Sequence, residues 1–262
     1  MKVSDFARYV SDRKQATGGG TALNQDEGVL YGDANAEARG VLFCWMATVD
    51  ALERAATEGC NLVVCHEMFY FCPIGSAGLQ PQQPAWRPNY RRLAVCGRAG
   101  LTVFRAHGTL DRITIYDAFA ERLGLKNPNP GTGWDKVFPI PPTSVRDLVA
   151  RVRQTMGLKQ VRMVGDLDQR VTCLGLPWGG LGLDSNVGYM QRLLELGADG
   201  FIAGETDEYG LTFASDAGVP LIETGHAASE NIGLELFAQQ VQRDFPGLKV
   251  ATFTRPTFVY AE

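Results

Sequence analysis

Apolar and polar positions along the chain alternate between helical and extended spacing. Val3–Arg13 sets Phe6, Tyr9 and Val10 on one helical face, which predicts an N-terminal helix, and a Gly-rich turn follows at Gly18–Gly20. Arg39–Val49 is almost continuously apolar, as a buried strand would be, and Ala51–Glu58 returns to helical spacing until Gly59 closes it. Asn61–Cys65 and Leu101–Ala106 read as short buried strands, and Ile115–Leu123 as a helix ended by Gly124. Asn127–Thr143 then holds five prolines and two glycines, which predicts a connection between two parts of the molecule. Beyond it the pattern predicts a helix at Ser144–Met156, strands near Val161–Gly165 and Val171–Leu176, and a helix at Val187–Leu196. A strand at Gly200–Ala203, a helix after Asp207, a strand at Pro220–Thr224 and a helix after His226 complete it. Strands alternating with helices predict an α/β fold of mixed sheets flanked by helices. The expected organisation is a first lobe over 1–126, a connection over 127–143 and a second lobe over 144–262, with the extreme C-terminus returning to the first.

The two halves resemble each other. VDALERAATEGCNLVVCHE (49–67) aligns without a gap with VGYMQRLLELGADGFIAGE (187–205), matching Arg54 with Arg192, Gly59 with Gly197 and Glu67 with Glu205. A repeated helix–Gly–strand unit could arise in any α/β protein. However, AGLTVFRAHGTLD (99–111) also aligns with AGVPLIETGHAASE (217–230) with one inserted residue, bringing His107 onto His226 and Asp111 onto Glu230. This favours an internal duplication, with two related lobes facing each other across a cleft and supplying ligands from both sides.

Composition narrows the function. A hydrophobic content of 45% in 262 residues supports a substantial core, and a net charge of −4 argues against a dedicated nucleic-acid binder. No apolar run reaches the roughly 18 residues of a membrane span, and the N-terminus lacks the apolar segment of a signal peptide, so a cytoplasmic location is expected. None of the six cysteines forms a C-x-x-C pair, which fits buried free thiols in a reducing compartment; Cys65 or Cys72 as a metal ligand is the lesser reading.

The chain has only three histidines, and each has an acid nearby: His66 beside Glu67, His107 four residues before Asp111, and His226 four before Glu230. All follow predicted strand ends, where open α/β sheets place ligands. Histidine and carboxylate are the usual ligands of a transition-metal ion. Five such side chains (His66, Glu67, Asp111, His226 and Glu230) exceed what one four-coordinate ion needs; they could hold two ions about 3.5–4 Å apart. Singly, the same residues have plainer readings: Asp111 or Glu230 as a helix cap or solvated acid, Glu205 with Asp207 and Glu208 as an acidic helix start. HEMFY lacks the second histidine of a zinc-protease motif, and no G-x-S-x-G, Walker or G-x-G-x-x-G motif occurs. The glycine-rich GGLGLDSNVG (179–188) reads as a turn.

In order along the chain, GVLYGD (28–33), LVVCHEMFYF (62–71), RAHGTLD (105–111), GADGFIAGE (197–205) and ETGHAASE (223–230) resemble the NIF-three-like proteins, also known as dinuclear metal centre hexameric proteins or type-two GTP cyclohydrolase homologues. The closing Gly-His-x-x-x-Glu element is the most specific of these. The resemblance implies two interlocked α/β lobes, a dinuclear centre between them and a toroidal homohexamer. Its metal ligands would be His66, Asp111, His226 and Glu230, with His107 beside them. Glu67 stands where the family usually has a second adjacent histidine, and Tyr209 about where it often has another; the carboxylate keeps a ligand but hardens the site toward Mn, Fe or Mg. The function expected is that of a metal-dependent hydrolase of a small molecule, a purine nucleotide such as GTP, using two Zn, Fe or Mn ions per subunit with Glu67 or Glu205 as general base. The alternative is a non-enzymatic hexamer that buffers metal or docks a protein partner.

Overall fold

A computed structural model describes residues 1–72, 82–130 and 133–254. In order they form α1 (Val3–Ala16), β1 (Gly28–Tyr31), β2 (Gly40–Cys44), α2 (Val49–Thr57), β3 (Leu62–Cys65), α3 (Arg87–Ala99), β4 (Thr102–Arg105) and a single turn α4 (Gly108–Leu110). A wider π-type turn (Asp111–Ile115) leads into α5 (Tyr116–Arg122), β5 (Asn129–Pro130), β6 (Lys136–Ser144), α6 (Val145–Met156), β7 (Arg162–Val164) and β8 (Arg170–Gly175). Then come α7 (Val187–Glu195), β9 (Gly200–Ala203), α8 (Glu208–Asp216), β10 (Leu221–Glu223), α9 (His226–Asp244) and β11 (Lys249–Phe253). The fold is mixed α/β, with two mixed sheets flanked by helices. One compact unit contains Met1–Ile115 and the stretch from Gly233 through β11; Tyr116–Ile232 belongs to the other. The extreme C-terminus beyond residue 254, expected to return to the first lobe, lies outside the described residues.

The first unit is built on a five-stranded sheet of order β1-β4-β3-β2-β11, in which only β1 runs antiparallel to its neighbour. Its central strands β2 and β3 are apolar throughout because both faces are covered, and β4 adds only Thr102 and the terminal Arg105. Leu42, Cys44, Val63, Cys65 and Val103 pack with Ala51, Leu52, Val95 and Cys96 of α2 and α3. On the opposite face Phe43 and Phe104 meet Phe6 of α1 at ring distances of 6.2 and 5.6 Å, and Phe43 meets Phe237 of α9 at 5.8 Å. The strand expected over Arg39–Val49 ends sooner, at Cys44, because Thr48 caps α2 by accepting the Ala51 amide at 3.3 Å.

The second unit carries a six-stranded sheet of order β5-β6-β8-β9-β10-β7. Here β8, β9 and β10 are parallel, and β7 runs antiparallel beside β10. The proline-rich stretch expected as a connection contains β6, which pairs antiparallel with β8 through a register shift between Pro139 and Thr143. Proline is tolerated there because β5 reaches only Lys136 and Val137, which leaves the rest of β6 an edge strand. Trp178 anchors the core of this unit, edge-on to Tyr116 at 4.7 Å and to Tyr189 at 5.8 Å. Both sheets share a sub-order: an antiparallel edge strand (β1 or β7), then three parallel strands read backwards (β4-β3-β2 or β10-β9-β8). Among the described residues no helix is long and apolar enough to cross a membrane.

Asp207 caps α8, accepting the Gly210 amide at 2.8 Å and that of Asp184 at 3.1 Å, and these amides hold its carboxyl below the usual range. Asp207→Ala will therefore cost about 1 kcal/mol at neutral pH. A depressed carboxyl stabilises the fold above the unfolded pKa of about 3.9, and that contribution is lost as pH falls through the folded value. Urea melts at about pH 7 and about pH 3 should show the difference shrinking in acid; an equal loss at both would remove the electrostatic account.

Candidate metal centre

In the first unit β3 and β4 are parallel, with Cys65 opposite Arg105, so the residues just beyond their ends lie side by side. His66 follows β3 and is fully buried. Its Nδ1 lies 3.1 Å from the Ala106 carbonyl, which can only accept, so Nδ1 is the nitrogen that donates there. That Nε2 lies 3.8 Å from Asp111 Oδ1. The His107 ring stands edge-on to His66 at 4.9 Å, its Nδ1 3.0 Å from Asp26 Oδ2 and its Nε2 4.0 Å from Glu67 Oε1. His66, His107 and Asp111 each offer a ligand atom, and these atoms all lie within 4.8 Å of one another. Asp111 opens the π-type turn, an irregularity frequent at functional sites.

Glu67 is not isolated, since Arg105 Nη2 lies 3.8 Å from its Oε2 while the same guanidinium donates from Nε to the His66 carbonyl at 3.0 Å. Cys65, the neighbouring thiol, turns into the apolar cluster behind the sheet, where burial pushes its pKa up to about 12. It therefore stays a thiol and is a poor ligand.

In the second unit β9 and β10 are parallel, with Ala203 opposite Glu223, and deliver Glu205 and His226 beyond their ends. His226 Nδ1 lies 2.8 Å from Glu205 Oε2, and its Nε2 lies 3.3 Å from Glu230 Oε1 one helical turn on. Glu230 is only 3% exposed. The glycine-rich loop read from sequence as a turn lies against this pair: a Cβ on Gly179 would come within 2.1 Å of Glu230 Oε1 and 3.3 Å of His226 Nε2. Tyr209 is 71% exposed on α8.

These donors fit a divalent ion. Each histidine turns Nδ1 to an oxygen and points Nε2 at a carboxylate 3.3–4.0 Å away. Two ligands each about 2.1 Å from one ion at a tetrahedral angle stand about 3.4 Å apart. The outward hydrogen bond on Nδ1 is the partner that a coordinating imidazole normally has.

Residues 1–257 match the family model of Duf34/NIF3 (NGG1p interacting factor 3). The chain belongs to this family. It is similar to a "GTP cyclohydrolase 1 type 2 homolog" of Nostoc sp., 23% identical over 228 residues that span 83% of this chain and 81% of that protein. A protein of the same description from Clostridium acetobutylicum is 20% identical over 88% of this chain and 85% of its own length. Among solved structures, a Staphylococcus aureus hypothetical protein superposes with a TM-score of 0.77 at 18% identity, covering 100% of this chain and 99% of that one. A Bacillus cereus protein related to NIF3 gives 0.77 at 13% identity, covering 97% and 98%. At such identities these likenesses establish the Duf34/NIF3 fold. Within it, the pairing of His226 with Glu230 follows the sequence pattern, but Asp111 lies beside His66, not His107, and His107 faces Asp26 and Glu67. Asp26, Glu27, Arg105 and the part played by Gly179 had no signal in the sequence. The acids precede β1 without any periodic signal, and the glycine's role depends on what packs against it.

Proposed function

We propose that this Duf34/NIF3 chain is a metal-dependent hydrolase of a small molecule that holds two divalent ions through His66, Glu67, His107, Asp111, His226 and Glu230. The observation that carries the reading is the common posture of the three histidines, each with Nδ1 on an oxygen and Nε2 toward a carboxylate. A donor set of imidazole and carboxylate without sulfur suits Zn, Fe or Mn. Bound there, an ion would supply Lewis acidity toward an electrophilic carbon or phosphorus. The protein's part is to bind and orient. Glu67, largely buried beside His107, and Glu205, on the outer nitrogen of His226, are the carboxylates assigned to hold or move a proton. An internal duplication accounts for the shared strand sub-order and for the acid that follows β3 and β9 by two positions, Glu67 and Glu205. The names of the Nostoc and Clostridium relatives favour a purine nucleotide such as GTP as substrate, and a homohexamer is part of the same proposal.

Elemental analysis after reconstitution with Zn, Mn and Fe is expected to find about two ions per chain, with turnover of GTP in the metallated protein. A wild-type protein that retains no metal from any of the three sinks the reading. Stable metal binding without turnover of GTP or simple phosphoesters would replace the hydrolase by a metal-binding or regulatory protein.

A further inference from the structure

The segment that leads into β1 is fastened to the histidine turn after β4. Lys14 Nζ donates to the Ala22 carbonyl at 2.8 Å and to Asn24 Oδ1 at 2.9 Å, which pins the loop. Glu27 Oε1 accepts the amides of His107 and Thr109, both at 2.8 Å, while its Oε2 accepts the Thr109 hydroxyl at 2.5 Å and the Asn24 amide at 2.7 Å. Gly108 packs so closely that a Cβ there would lie 2.8 Å from Asn24 Nδ2. Beside the ring, Asp26 Oδ2 lies 3.0 Å from His107 Nδ1 and accepts from Arg105 Nη1 at 2.8 Å. Asp26 is about half exposed, with 46% of its side chain accessible, so packing alone does not hold it in this position.

We infer that Asp26 and Glu27 are the positioning residues of His107. Glu27 fixes the backbone from which the ring projects. Asp26, steadied by Arg105, accepts the hydrogen bond from Nδ1–H and so leaves Nε2 as the coordinating nitrogen. The chemistry requires little else: a neutral imidazole carries one proton, and a carboxylate can only accept, so facing Nδ1 it selects the Nδ1–H tautomer. His66 receives the same selection from the Ala106 carbonyl and His226 from Glu205. His107 alone draws it from an acid in a loop 81 residues away in the chain. This inference rests on the metal-binding reading, and one of its two measurements does not need a metal.

The first measurement is nitrogen-15 NMR of the imidazoles in metal-free protein, with the three histidines assigned through His66→Ala and His226→Ala. The wild type is expected to show His107 protonated at Nδ1, Asp26→Ala to lose that preference, and Asp26→Asn, whose amide oxygen still accepts, to keep it. The second is cobalt(II) affinity, expected to fall about tenfold or more in Asp26→Ala and to recover substantially in Asp26→Asn. Asp26→Ser, whose hydroxyl is too short to reach the ring, serves if the alanine variant does not fold. A folded Asp26→Ala or Asp26→Ser protein with unchanged His107 tautomer and unchanged cobalt affinity overturns the inference. If the wild type binds no cobalt, the metal-binding reading fails while the tautomer measurement still decides the role of Asp26.

Discussion

Alanine at Gly179 will weaken metal binding on the order of 100-fold, more than the loss of a typical outer partner of a metal ligand. The cause is a collision with Glu230, one of the proposed ligands. The new Cβ would arrive 2.1 Å from Glu230 Oε1, far inside contact distance. A carboxylate at the end of a free side chain could swing away, but Glu230 is 3% exposed. Nor can the loop retreat, because Gly179 donates to Ser229 Oγ at 3.0 Å and accepts the Glu205 amide at 2.7 Å. Behind it Gly204 packs so tightly that a Cβ there would lie 2.4 Å from the Gly179 backbone. Gly179 also has φ +54, a left-handed conformation that costs an L-residue about 1–2 kcal/mol. The displaced group must therefore be Glu230, carried off the Nε2 of His226. Gly180→Ala is the matched control: its Cβ would meet His226 Cε1 at 3.3 Å, tight but tolerable. Calorimetric titration with zinc or cobalt, beside a melting curve for each variant, reads the outcome. A folded Gly179→Ala protein that binds like the wild type removes Glu230 from the ligand set.

The parts of this molecule visible in its sequence are those where one residue's chemistry decides its place. β3 and β9 were legible because strands covered on both faces are apolar at every position, as LVVC and GFIA are, and β4 and β10 because they are apolar up to their last residue, apart from Thr102. The histidines were legible because they follow those strands. α3 was not, because its inward face mixes polar residues with Val95 and Cys96: Asn89 and Arg92 are buried, and their hydrogen bonds to the Phe71 and Phe69 backbones lie outside the helix. β1 and β11, edge strands with half-buried patterns, carried no clear alternation, and β6 hid behind its prolines. The same distinction separates ligands from their supports. A histidine beside an acid marks a candidate metal site in one dimension, whereas Asp26 and Glu27 acquire meaning only when the chain brings them to His107.

Gly233→Ala will destabilise the protein by about 2 kcal/mol and lower its melting midpoint by about 5 °C, although helix propensity alone predicts the opposite sign. Gly233 lies inside α9, where exchanging glycine for alanine ordinarily stabilises by about 1 kcal/mol. Here the added Cβ would stand 2.3 Å from Ile115 Cα and 2.8 Å from its backbone nitrogen. Main chain cannot rotate aside as a side chain does, and Ile115 is itself fully buried, so either α9 or the turn must shift. Overpacking of this kind costs about 1–3 kcal/mol, and a contact with backbone belongs at the upper end, which outweighs the propensity gain. Ile115 closes the π-type turn that Asp111 opens, so the disturbance should also reach the pairing of Asp111 with His66 and weaken cobalt binding more than the stability loss alone explains. Gly247→Ala supplies the comparison, since nothing lies within 4 Å of its Cβ, and it should be neutral or slightly stabilising. A Gly233→Ala protein that melts at or above the wild-type midpoint would show that α9 and the Asp111 turn are not in the close contact argued for them.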